Sequence, residues 1–247
     1  MSIESAADWA GLQEVGRITR LTLDALEAQV RPGMSTAKLD EVAAAVIADQ
    51  GARSAPALVY GFPRTVLISL NDEIVHGVPG PRRIARGDLV KLDVTLEKNG
   101  YVADAARTVV VGGASDVARR LARCAADALD AALQVARAGT RVNQVGRAVE
   151  REVRRQGFAV VRGLAGHGVG RTIHEWPSVP NQYDPWQKDV LTQGLVLTIE
   201  PMISAGSPDP IQDRDGWTIR TRDGSLSAHC EHTLVITRDR PIILTAA

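Results

Sequence analysis

Cysteine is scarce in this chain. There are two in 247 residues, Cys124 and Cys230, in unrelated contexts and without metal-type spacing. That excludes a disulfide framework and a Cys-rich structural zinc site, and free buried thiols in a reducing cytoplasm are the simplest expectation. An excess of either charge is also missing, because 29 Lys and Arg balance 29 Asp and Glu. Without a net basic field, neither direct nucleic-acid binding nor a polybasic membrane anchor is expected. No apolar run approaches the roughly 18 residues of a membrane span. The N-terminal stretch MSIESAADWAGLQEVGRITRL has no apolar segment behind a basic start, so it does not read as a secretory signal. What the chain does have is apolar residues, 45% of the total, enough to bury a substantial core.

Residues 89–111, LVKLDVTLEKNGYVADAARTVVV, pose the central question. Two alternating apolar runs flank KNG and predict a β-hairpin. Asp93 lies inside the first run and Asp104 inside the second, although Asp is a poor strand former. If the two-residue loop is Lys98-Asn99, the two carboxylates face each other. If it is Asn99-Gly100, they lie diagonally on one face. Like charges so placed destabilise a strand pair unless solvent, a shared proton or a cation compensates.

The flanking segments repeat. An amphipathic helix over the first ~30 residues carries Val15, Ile18, Leu21, Leu26 and Val30 near helical spacing. RPGMST breaks it, Ser35 or Thr36 can cap a second helix, and Gly51 stops that one. Residues 52–87 read as strand and loop. A long Ala-rich helix is expected over 115–138, and another then runs to Gly157. QVRPGMSTAKLDEVAAAVIADQG and QVARAGTRVNQVGRAVEREVRRQG share a layout, with equal spacing between Gly33 and Gly51 and between Gly139 and Gly157. Strands alternating with Gly-rich turns fill the rest. This is a duplicated α+β unit, read as one domain over 1–247, with a ligand site expected at the junction of the halves.

Further polar residues fall in strand-like surroundings. Glu200 follows LVLTI, Glu231 precedes TLVIT, and His167 lies in GLAGHGVGRTIHEWP. Buried charge at such positions is expensive unless it is paired or metal-bound. Asp93, Asp104, His167, Glu200 and Glu231 together form a dinuclear set for hard or borderline divalent metals. Such a pair can activate a shared water near neutral pH. The chain has only five histidines: His76, His167, His174, and His229 and His232 on either side of Glu231.

The motifs NDEIVHGVPG, KLDVTLEKNGYVADAARTVVVG, GHGVGRTIHEWP, LTIEPM and DGWTIRTRDGSLSAHCEHTLVIT resemble those of the type I methionine aminopeptidases, over about residues 10–245. The resemblance implies the pita-bread (creatinase/aminopeptidase-like) fold, in which pseudo-twofold halves form a curved antiparallel sheet covered by helices. It implies two divalent metals (Co, Mn, Fe, Zn or Ni). Asp93 would hold one, His167 and Glu200 the other, and Asp104 and Glu231 would bridge them. A bridging hydroxide would attack the scissile carbonyl, with Glu200 as general base or acid. His76 would lie near the scissile nitrogen, and His174 would hydrogen-bond the carbonyl. The methionine pocket departs from the family's usual residues: Pro56, Val59, Phe62, Leu67 and Val75 stand at positions often held by Cys or Tyr, and Ile173 replaces a common Phe, while Trp217 is kept. The implied activity is cytoplasmic removal of N-terminal methionine from nascent polypeptides by a monomer. Ribosome association would suit it, though no basic tail supports that. Three readings compete with it: an Xaa-Pro aminopeptidase-like enzyme of the same fold, a non-catalytic pita-bread binding module, and a metal-dependent hydrolase that is not a peptidase.

Overall fold

The structure is a computed structural model that describes residues 1–246. Its first half runs α1 (Ala6–Gln29), α2 (Thr36–Asp49), β1 (Arg53–Ser54), α3 (Ala55–Tyr60), β2 (Leu67–Leu70), β3 (Glu73–Val75), β4 (Leu89–Lys98) and β5 (Tyr101–Val110). The second half continues with α4 (Asp116–Leu133), α5 (Val142–Arg155), β6 (Ala159–Val160), β7 (Ala165–Gly168), β8 (Glu175–Pro180), β9 (Val196–Ile199) and β10 (Met202–Ser204). It closes with β11 (Pro210–Gln212), β12 (Ile219–Thr221), β13 (Ser227–His229), β14 (Glu231–Val235) and β15 (Ile242–Ile243).

Strands of both halves join in one nine-stranded sheet, ordered β1-β4-β5-β14-β9-β7-β8, with β2 added on β4 and β15 on β14. Its pairings are antiparallel. Helices back it. Ser5 caps α1 by accepting from the Asp8 amide, and the helix buries Leu12, Val15, Ile18, Leu23 and Leu26 against β4 and β5. Ser115 caps α4 in the same way. The Ala-rich face of α4, including Ala118, Ala125, Ala128 and Ala132, packs against α5 and, with Leu197, Ile199 and Leu234, forms the second core.

The duplication is visible in the hydrogen bonds. Gly33 N donates to Ile84 O at 2.8 Å, and Gly139 N donates to Leu191 O at 2.9 Å. Thr36 N to Arg82 O at 3.0 Å is matched by Val142 N to Asp189 O at 2.9 Å. The return bonds, Ile84 N to Met34 O and Leu191 N to Thr140 O, are both 2.8 Å. Gly33 and Gly139 have φ of 88° and 89°, a conformation glycine adopts at no steric cost. The two helix starts differ in that Ser35 caps α2 with its side chain, whereas Arg141 offers α5 none.

Two expected elements change. Residues 52–87 contain the helix α3, capped by Ser54 and ended by Gly61 at φ 70°. Six residues are too few to show helical periodicity, although Ser, Pro and Gly stood in the right places. The long helix ends at Leu133, five residues before the expected 138. Cys124 is buried and Cys230 half-buried, and both are free thiols. Among the described residues no helix is long and apolar enough to cross a membrane.

β7 is squeezed between its neighbours. A Cβ on Gly166 would lie 2.5 Å from the Thr198 carbonyl oxygen, and one on Gly168 would lie 2.3 Å from that of Trp176. His167 therefore stands between two places where only glycine lets backbone approach backbone. Gly166→Ala should cost about 1–3 kcal/mol by overpacking and should displace His167. Thermal melting of the metal-free protein and its metal content after loading measure the two effects. A wild-type melting temperature with full loading would show that β9 yields without disturbing His167.

Candidate metal centre

Strand alternation explains why the hairpin carries acids. Leu92, Val94 and Leu96 on β4, with Ala103 and Ala105 on β5, face the helix-backed core. Asp93, Thr95 and Asp104 line a cavity on the opposite face. The register is the diagonal one: Asp93 is opposite Ala106, and Asp104 is opposite Thr95. The turn sets it. Lys98 pairs with Tyr101, and Asn99 and Gly100 have φ of 52° and 81°. Positive φ at both central residues is the type I′ signature, which matches the strands' right-handed twist.

The other acids come from neighbouring strands. Glu231 opens β14 opposite Ala106, and Glu200 follows the last residue of β9. Thr95 Oγ1 donates to Asp104 Oδ1 at 2.8 Å, and Thr198 Oγ1 donates to Glu200 Oε1 at 3.0 Å. Thr198 Oγ1 also accepts from the His167 amide at 3.1 Å, tying β7 to β9. His167 Nδ1 lies 2.9 Å from Gly168 O. A carbonyl can only accept, so Nδ1 carries the proton. The Nε2 lone pair is left free, 3.3 Å from Glu200 Oε1, the tautomer a metal ligand needs.

The electrostatics favour a cation here. Burial, then Asp104 and Glu200, push Asp93 well above the ordinary carboxylate range. Burial lifts Asp104 to about 6. Glu200 is raised by burial and Asp104, and Glu231 by burial and then by Asp104, Glu200 and Asp93. Glu231 Oε1 has no hydrogen-bond partner among the described residues. Ligand atoms of Asp104, His167 and Glu231 lie within 4.8 Å of one another, as do those of Glu200, His229 and Glu231. Glu231 belongs to both triads, as a bridging carboxylate would, while Asp93 lines the cavity outside both. The donor set and the orphaned oxygen fit hard or borderline divalent metals.

The remaining expected residues mostly converge. His76, His174, Phe62, Leu67, Ile173 and Trp217 line the same cavity of about 450 Å³, as do Pro56 and Val75. Phe62 and Trp217 meet edge to face, with centroids 5.2 Å apart. His76 sits at φ 60°, a left-handed backbone that costs a non-glycine residue about 1–3 kcal/mol and marks functional sites. Burial first, then neighbouring His174, pull His76 down to about 4, so it is neutral near pH 7. Val59 is a correction. It is 56% exposed, on the outer side of α3, and does not line the cavity. Tyr60, next along α3, lines it instead.

His229 was noted in the sequence only as a neighbour of Glu231. It is buried, its Nε2 lies 3.9 Å from Glu200 and 3.8 Å from Glu231, and both ring nitrogens lack partners among the described residues. Alternation could have flagged it, since residues 229 and 231 share a strand face wherever the strand is continuous. His232 is separate, with Nδ1 2.9 Å from Thr245 Oγ1.

A curved sheet formed by two like halves, with carboxylates and a histidine meeting at their junction, defines the pita-bread class of metal-dependent hydrolases. The chain belongs to metallopeptidase family M24, whose profile matches residues 10–238. It is 42% identical to methionine aminopeptidase 2 of Bacillus subtilis (strain 168) over 99% of both chains. It is 39% identical to a methionine aminopeptidase of Clostridium perfringens over 95% of this chain and 94% of that one. The solved methionine aminopeptidase from Thermotoga maritima superposes with a TM-score of 0.96 at 32% identity, covering all of both chains. Prolidase from Pyrococcus furiosus shares the fold, with a TM-score of 0.80 at 22% identity over 99% of this chain and 65% of that one.

The raised carboxylates set the pH dependence of metal binding. Groups with folded pKa values above the ordinary range hold protons in the metal-free protein near pH 5–6, roughly where Asp104 titrates. A metal must displace those protons. Affinity should therefore rise as pH increases from about 5 to about 7.5, with net proton release. Titration calorimetry in buffers of different ionisation enthalpy measures it. Proton uptake, or affinity independent of pH, would contradict the assignment.

Proposed function

We propose that the chain is a metal-dependent aminopeptidase that removes N-terminal methionine from peptides and nascent proteins. The observation that carries this reading is a single cavity lined by two chemistries. Asp93, Asp104, His167, Glu200 and Glu231 line it together with the apolar side chains of Phe62, Leu67, Ile173, Met202 and Trp217. An apolar pocket of this kind accepts a flexible thioether side chain. The similarity to methionine aminopeptidases across nearly the whole chain supports the same reading.

Asp93, Asp104, His167, Glu200 and Glu231 would hold two divalent metals, with Co, Mn, Fe, Zn and Ni all compatible with these donors. When bound, the metals supply a Lewis acid for the carbonyl and a water that ionises near neutral pH. The protein's own groups do the rest. The apolar wall holds the first side chain and excludes water. His174 donates a hydrogen bond to the scissile carbonyl oxygen and stabilises its developing charge. Glu200, oriented by Thr198, accepts a proton and later returns it to the leaving amine. His76, held neutral by burial, positions the scissile nitrogen. The place of action we infer is the cytoplasm, on nascent N-termini, with the chain working as one subunit.

Proline-directed relatives share the fold at 19–24% identity and are longer chains, of which this one covers 62–65%. The deciding experiment uses chelator-stripped protein, with and without added Mn²⁺ or Co²⁺, on Met-Ala-Ser and Ala-Pro-Ser. Metal-restored release of methionine and no cleavage before proline are expected. Removing a carboxylate that would hold metal, by Asp104→Asn, should cost about a hundredfold or more in rate, because it removes several kcal/mol of metal-dependent stabilisation. Cleavage of Ala-Pro-Ser alone would move the chain to the proline-directed branch, and full activity of Asp104→Asn would overturn the dinuclear site.

A further inference from the structure

The sequence resemblance gave His174 a role but no means of keeping its ring in the required protonation form. A neutral imidazole has two tautomers, and only one presents a donor from a given nitrogen. The structure supplies a candidate for the control. The Tyr60 hydroxyl lies 2.5 Å from His174 Nδ1, and the two rings are 5.8 Å apart at a 45° tilt. On its other side His174 rests against His167, with ring centroids 4.2 Å apart. The ring is thus clamped between a metal-site histidine and a phenol.

The direction of the hydrogen bond follows from what surrounds it. Burial pushes the Tyr60 phenol above its ordinary value, so the hydroxyl keeps its proton throughout the neutral range. A phenol O–H is a stronger hydrogen-bond donor than an imidazole N–H, and an imidazole nitrogen is a stronger acceptor than a phenol oxygen, so the hydroxyl donates to Nδ1. With Nδ1 accepting from Tyr60, the single ring proton of a neutral imidazole sits on Nε2, and both His174 and Asp104 line the cavity. Tyr60 reaches this position because α3 ends immediately after it, at Gly61 with φ 70°, which leaves the phenol half-exposed at the cavity mouth.

We propose that Tyr60 is a positioning residue for the reaction: its hydroxyl donates to Nδ1 of His174, fixes the Nε2–H tautomer and aims that donor into the cavity. The role in turnover rests on the aminopeptidase reading, whereas the tautomer does not. Two measurements separate them. In zinc-loaded protein carrying ¹⁵N-labelled histidine, His174 should show a protonated Nε2 and an unprotonated, hydrogen-bonded Nδ1. Tyr60→Phe should convert this to a tautomer mixture. In the same variant kcat for methionine release should fall roughly three- to tenfold, the worth of one hydrogen bond, with KM and metal content unchanged. In a His174→Ala background Tyr60→Phe should have no further effect on kcat, since coupled residues are non-additive.

A wild-type His174 protonated on Nδ1 would overturn the proposal. So would a Tyr60→Phe variant with an unchanged tautomer, an unchanged kcat, or an effect that persists without His174. Should the zinc-loaded wild type show the Nε2–H signature, lost in Tyr60→Phe, yet release no methionine, the clamp would stand and the aminopeptidase reading would fall.

Discussion

Burial of four neighbouring carboxylates is the constraint on which the rest of this molecule depends. Asp93, Asp104, Glu200 and Glu231 are all buried within one cavity wall. Without a cation they are driven to hold protons: burial raises each of them, and neighbouring carboxylates add to it for Asp93, Glu200 and Glu231. Asp104 alone, lifted from 3.8 to about 6, costs the metal-free fold on the order of 3 kcal/mol once ionised. That is a large share of a typical domain's stability of about 5–15 kcal/mol. The apolar cores behind the sheet sustain it. Leu92, Val94 and Leu96 are completely buried on the far side of the strand that carries Asp93. The hydrophobic face of each strand thus anchors the acids on its other face.

The two halves divide this labour. The first supplies the hairpin with its two aspartates, and the second supplies His167 from β7, Glu200 just past the end of β9, and Glu231 from β14. Neither half alone holds a complete donor set. Pairing of β5 with β14 brings the sets together, with Ala106 opposite both Asp93 and Glu231. Ala106 is small, and a small residue between two carboxylates leaves the space in front of them open.

Much of this was legible in the sequence because it rests on periodicity and on misplaced charge. Alternation identified the hairpin, and acids inside apolar strands identified the centre. Equal glycine spacing identified the duplication, and the structure adds matched backbone hydrogen bonds to it. The rest depended on local geometry with a weak signal. α3 is too short to show a period, and it was the family resemblance that put Val59 on the wall Tyr60 occupies. The hairpin register stayed open between two loops, because only the backbone conformations of Asn99 and Gly100 decide it. His229 went unread because its neighbour Glu231 already explained the motif. Nothing in one sequence reveals that a buried imidazole lacks partners.

The Asn99-Gly100 turn begins six residues beyond Asp93, on the order of 20 Å at the rise of a strand. It touches no donor atom, yet it is the ruler that determines how far apart Asp93 and Asp104 stand. Hairpin tips are ordinarily where chains accept extra residues most freely. This one cannot. A single inserted residue absorbed by sliding β5 along β4 would turn Asp104 toward the helices and an alanine toward the cavity. The coordination chemistry is in this sense encoded at the periphery, and drift in loop length, usually the most tolerated kind of change, is closed off there.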